Sequence, residues 1–97
     1  MSPVDLADKV MRTFVVEGRL TQIPTKHSKK LVVLDWLAQE FEPGRHYRER
    51  EVNDTLREHH PDVAALRRYL VDEGFMDREA GVYWRSGGTV PPASPTE

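Results

Sequence analysis

What most restricts this chain is its punctuation: Gly18, Pro24, the Pro43-Gly44 pair, Pro61 and Gly74 interrupt it at short intervals. Proline removes a backbone donor and breaks helices, while glycine is favoured where a helix ends or a turn forms. Only short helices and strands fit between such breaks. A chain of 97 residues then has to build one modest core from several small elements, with a stability of about 5–15 kcal/mol. No apolar run approaches the roughly 20 residues that cross a bilayer, and the N-terminus lacks a signal-peptide pattern. The absence of cysteine excludes disulfides, thiolate metal sites and a thiol nucleophile. A cytoplasmic protein without a membrane partner is expected.

Periodicity between the breaks predicts the element types. Residues 4–16 read as a helix, because Leu6, Val10 and Phe14 recur four residues apart with Ala7 and Met11 beside them, and Gly18 is placed to stop it. Arg19 to Pro24 alternates polar and apolar, which predicts a short strand or extended lead-in. A second helix is expected from about Ser28 to Phe41, with Leu31, Leu34, Leu37, Ala38 and Phe41 on one face. Val32, Val33 and Trp36 lie outside that arc. They are expected to meet the N-terminal helix or a second subunit, and so form the candidate partner interface. After a strand fragment at 45–48, a third helix is expected from Glu49 to about His59, and a fourth from an Asp62 N-cap to Glu73 with Gly74 beyond it. Phe75–Arg78 and Val82–Arg85 flank Glu79-Ala80-Gly81 as a hairpin, of whose two aromatics, Tyr83 and Trp84, one is expected to point inward. Ser86–Glu97, rich in Gly, Pro and Ser, reads as a disordered tail after a single domain at 1–85. The expected fold is α+β and winged-helix-like: a helix-turn-helix plus a C-terminal β-hairpin wing, with an extra N-terminal helix.

The run Tyr47-x-Glu49-x-Glu51-Val52-Asn53-x-x-Leu56, continued by Asp62-x-x-x-Leu66-Arg67-Arg68-x-Leu70-Val71-Asp72-x-Gly74, resembles a bacterial family of unknown function. In that family the domain is often attached to winged-helix regulators of the ArsR type. Leu20-x-x-Ile23-Pro24-x-Lys26 upstream and Arg78 with Tyr83 downstream also fit, so the resemblance spans roughly Arg19 to Arg85. It implies a regulatory setting and supplies no catalytic residues. Arg48 departs from the pattern, standing where a Ser or Thr helix cap is expected.

The candidate chemistry is that of cations. Arg19, Lys26, Lys29 and Lys30 occupy an acid-free stretch, and the lysines open the second helix, where a docked phosphate would meet the positive end of the helix dipole. In a winged-helix protein the fourth helix enters the major groove. Arg68 lies opposite its inward face and is the expected helix contact, with Arg78 and Arg85 as wing contacts. Arg67 is expected to reach back to Glu51 in a structural ion pair locking the two helices. Against these stand a formal net charge of −2 and a fourth helix whose Asp62, Asp72 and Glu73 outnumber its arginines. That balance argues against a broad, unspecific nucleic-acid binder. His27, His46, His59 and His60 lack metal-ligand spacing, and no phosphate loop, nucleophile elbow or paired-carboxylate pattern is present. Neither enzyme activity nor a metal or other cofactor is expected. DNA binding in transcription regulation is the leading expectation. The alternative is a protein-interaction module that homodimerises or docks on another regulatory protein.

Overall fold

The computed structural model describes residues 3–89. Four helices, α1 (Pro3–Phe14), α2 (His27–Ala38), α3 (Glu49–Arg57) and α4 (Val63–Asp72), are joined by two small antiparallel sheets. The first pairs β1 (Val15–Val16) with β2 (Arg19–Leu20); the second orders β3 (His46–Arg48), β5 (Val82–Arg85) and β4 (Met76–Glu79) with β5 in the middle.

Helix α2 is the centre of the core. Val33, Leu34, Leu37 and Ala38 are fully buried on it, and α1 packs along it on one side and α4 on another. A helix that is apolar nearly all round has to be covered nearly all round. This accounts for Val33, which leaves the candidate partner interface, while Val32 and Trp36 stay half-buried. Val33 is completely buried, Val32 is packed against the core, and Trp36 meets His59 edge-on with centroids 4.9 Å apart. Among the described residues Val16 is the one large hydrophobic side chain left exposed. Beyond Ala38 the chain tightens, Glu40 and Phe41 bonding to carbonyls three residues back, so the α-helix stops short of Phe41 while Phe41 still enters the core.

The N-terminal helix also ends earlier than its apolar stripe predicts. Val15 and Val16 leave it and pair with Leu20 and Arg19 across a Glu17-Gly18 turn with φ of 51° and 79°. Two successive positive φ values make the tight turn whose twist suits a hairpin, and β-branched valines favour the strand. This hairpin closes the C-terminal end of α3: the Leu20 N–H donates to the His59 carbonyl at 2.8 Å, and the Arg19 guanidinium donates to the Glu58 carbonyl at 2.9 Å. Carbonyls at a helix end have no partner within the helix, so these bonds satisfy what α3 leaves open. The His59 ring reciprocates, its Nδ1 lying 2.6 Å from the Gly18 carbonyl.

Helices α3 and α4 pack through Val52, Leu56, Leu66 and Leu70, all without exposure. Asp62 caps α4 by accepting from the Ala65 N–H at 3.2 Å, as its residue type predicts. At α3 the capping role passes to Glu51, whose carboxylate accepts from the Arg48 N–H at 2.8 Å; Arg48 itself has no acceptor to offer. In the larger sheet Tyr83 lies opposite Tyr47 on one side and Arg78 on the other, with Tyr47 and Tyr83 buried against the helices. Trp84 takes the other face beside His46. The Ala80-Gly81 turn repeats the conformation of the first hairpin, with φ of 52° and 80°.

Residues 86–89 are part of the fold and not of a tail. Ser86 and Gly87 both donate to the Phe75 carbonyl, and Thr89 donates to the Asp35 carboxylate through its N–H at 2.6 Å and its hydroxyl at 2.8 Å. The remainder of the expected disordered tail, 90–97, lies outside the described residues.

Candidate nucleic-acid interface

The outer side of α4 and the adjoining edge of the β4–β5 hairpin bring three arginines together. Burial of Leu66 and Leu70 fixes how α4 is rotated, leaving Ala64 and Arg68 exposed and Arg67 half-buried beside α3. Arg67 does reach back to α3, but the expected partner Glu51 is engaged at the cap. The Arg67 guanidinium donates to the Asn53 side-chain oxygen and approaches the Glu49 carboxylate at 3.9 Å. Glu49 and Asn53 are four residues apart and share a face of α3, whereas Glu51 points elsewhere. The Tyr83 hydroxyl donates to the same Glu49 carboxylate at 3.1 Å and accepts from Arg78 at 3.4 Å. One network thus runs from the hairpin through Tyr83 and Glu49 to Arg67 and Asn53. The hydrogen bond with Tyr83, then electrostatic attraction from Tyr83, Glu49 and Asp72, raises the Arg78 pKa above its ordinary value, so this group is a permanent cation.

Between helix and hairpin lies a groove of about 250 Å³, lined by Arg67, Arg68, Val71, Asp72, Arg78 and Tyr83 together with Ala64 at its edge. Three guanidinium groups face one carboxylate there. Of the other acids on α4, Asp62 is the cap, and Glu73 lies 2.9 Å from His27 Nε2 at the start of α2. The helix that is acidic by composition therefore presents a basic edge toward the hairpin.

The lysine segment divides. Lys30 turns to α4, its ammonium 4.1 Å above the centre of the Tyr69 ring, and the Arg68 guanidinium lies 5.3 Å from the same ring. Both are within cation–π range, so Tyr69 joins α2 to the arginine groove. Lys29 instead borders a small apolar cleft between α1 and α2 formed with Leu6, Val10 and Phe14. Lys26 is exposed at the helix start and makes no side-chain cap bond. Arg85 leaves the candidate set altogether. It is 7% exposed, and its guanidinium donates to the carbonyls of Gly87 (3.0 Å), Phe41 (3.3 Å) and Thr89, so the phosphate-contact expectation is corrected to a structural clamp. It belongs to the inward face of β5, two residues from buried Tyr83. Sequence reasoning missed the lining role of Arg67 and the parts of Tyr69, Asn53 and Tyr83. Among the described residues no group of three or more histidines or carboxylates is arranged to hold a metal.

Fold and site together define a small α+β module with a preformed cationic groove between a helix and a hairpin. The chain belongs to the family described as an uncharacterized protein conserved in bacteria (DUF2087), which it matches over residues 19–85. No curated protein and no solved structure matches it. Among the described residues no helix is long and apolar enough to cross a membrane.

Proposed function

We propose that the protein is a DNA-binding module of the winged-helix type that acts in transcription regulation. The observation that carries this reading is the gathering of Arg67, Arg68 and Arg78 around one groove, with Lys30 alongside at Tyr69. Supporting it is the order α2, β3, α3, α4, β4, β5 with β5 central in the sheet, the arrangement of a helix-turn-helix followed by a wing. On this reading α4 enters the major groove and the hairpin follows the backbone. The resemblance to domains attached to ArsR-type regulators supplies the regulatory setting. The protein-interaction alternative loses part of its support, since Val33 is completely buried within the chain while Val32 and Trp36 are half-buried.

Fluorescence anisotropy with random-sequence duplex DNA tests the reading. Two phosphate contacts, one at the arginine groove and one at Lys30, predict a slope of log affinity against log salt near −1.8, at roughly −0.9 per contact. Replacing Lys30 with Gln is expected to reduce the slope by about 1, and replacing Lys29, which faces α1, to leave it nearly unchanged. No binding even at low salt would sink the DNA reading and restore the protein-partner one.

A further inference from the structure

We infer that the groove between α4 and the β4–β5 hairpin is a seat for one phosphate group, the chemistry shared by a DNA backbone and a free phosphorylated small molecule. This deepens the DNA reading and rests on it only for the source of the phosphate. Guanidinium groups offer planar forks of N–H donors that match phosphate oxygens two at a time. Three of them line the groove with one carboxylate, Asp72, and a second carboxylate, Glu49, lies behind Arg67 and Tyr83. At about 250 Å³ the groove is smaller than the 300–1,000 Å³ or so of clefts that enclose whole ligands. It fits a compact anionic head group whose remainder lies outside. Two of the three cations are also set in place before any ligand arrives. Arg67 is held by Asn53 and Glu49, and Arg78 by the Tyr83 hydroxyl, which is itself anchored on Glu49. A site whose donors are already positioned loses less side-chain freedom on binding.

The test is a titration of the ¹⁵N-labelled full chain with inorganic phosphate, matched against sodium chloride at equal ionic strength. Saturable amide shifts are expected at residues 64–72 and in the hairpin around Arg78 and Tyr83, and not at the Lys26 end of α2. Arg68→Gln and Arg78→Gln, both at exposed positions, are each expected to weaken phosphate binding about tenfold. Ala64→Glu, which places a carboxylate at the groove's edge, is expected to abolish it while the spectrum stays that of the folded protein. Shifts no larger than those with chloride would overturn the inference, as would phosphate affinity unchanged in both Gln variants. A second arm repeats the DNA anisotropy at saturating phosphate and constant ionic strength. Competition assigns the seat to a backbone phosphate, and independence of the two ligands assigns it to a free phosphorylated molecule. Phosphate shifts without any DNA binding would keep the seat and remove the DNA reading alone.

Discussion

Replacing Arg85 with Met separates the two roles that an arginine on a hairpin strand can have. The guanidinium is 7% exposed and donates to three backbone carbonyls, of which the bond to Phe41 is buried and those to Gly87 and Thr89 are partly so. A hydrogen bond to a charged donor contributes about 1.5–3 kcal/mol net, and a buried acceptor left unpaired costs about 1–3 kcal/mol. Methionine keeps the apolar stem but offers no donor. Counting the Phe41 bond in full and the other two only in part, the loss is expected at about 2–4 kcal/mol. For a domain of this size that lowers Tm by roughly 8–32 °C, at about 4–8 °C per kcal/mol. Urea unfolding followed by circular dichroism measures it directly, beside Arg85→Lys, whose compact ammonium cannot reproduce the fork and recovers less than half of the loss. Below the unfolding transition, DNA and phosphate affinity of the Met variant are expected to match the parent. An unfolding free energy within about 0.5 kcal/mol of wild type, the usual range of surface substitutions, would refute the clamp. The corrected phosphate-contact role would then have to be reopened.

Ala80 has φ of 52° in the β4–β5 turn, a conformation that costs a residue with a Cβ about 1–2 kcal/mol; Ala80→Gly is expected to raise Tm by a few degrees in a thermal melt, and a lower Tm would contradict the turn geometry. At Gly87 an added Cβ would lie 2.3 Å from the Gly74 carbonyl oxygen, so Gly87→Ala must displace backbone and is expected to destabilise by about 1–3 kcal/mol, with faster amide exchange at 86–89; unaltered stability and exchange would show that the contact is not made. Arg67→Met removes one hydrogen bond to Asn53 and a partly exposed approach to Glu49. Its expected cost is about 1–2 kcal/mol, below the 3–5 kcal/mol or so of a fully buried ion pair, and a larger loss in denaturant titration would mean that Arg67 is more tightly locked than the contacts imply.

Most of the fold was legible because strong breaks left little freedom between them. Pro61 with Asp62 fixed the α3–α4 turn, and Ala80-Gly81 fixed the hairpin. The first hairpin was hidden because two-residue strands carry no alternation, and Val15-Val16 simply continue the apolar stripe of α1. Some misreadings had a signal against them. Strand alternation that turns Tyr83 inward turns Arg85 inward too, and helical spacing puts Glu49 with Asn53 on the face Arg67 reaches, not Glu51. The lysine segment was harder. Its charge was plain, but whether Lys29 or Lys30 meets α4 depends on how α2 is rotated between α1 and α4, which only the packed core decides.

The stitching of β2 onto the end of α3 bears on what counts as the smallest inheritable piece of this protein. The stretch shared with the family begins at Arg19, in the second strand of a two-stranded hairpin, and ends at Arg85, before two of the carbonyls to which that arginine donates. A gene fragment cut to the shared stretch would encode β2 without β1, α2 without the helix that covers it, and a clamp with one partner left. The stretch matched by the family is therefore shorter than the set of residues packed together in this chain.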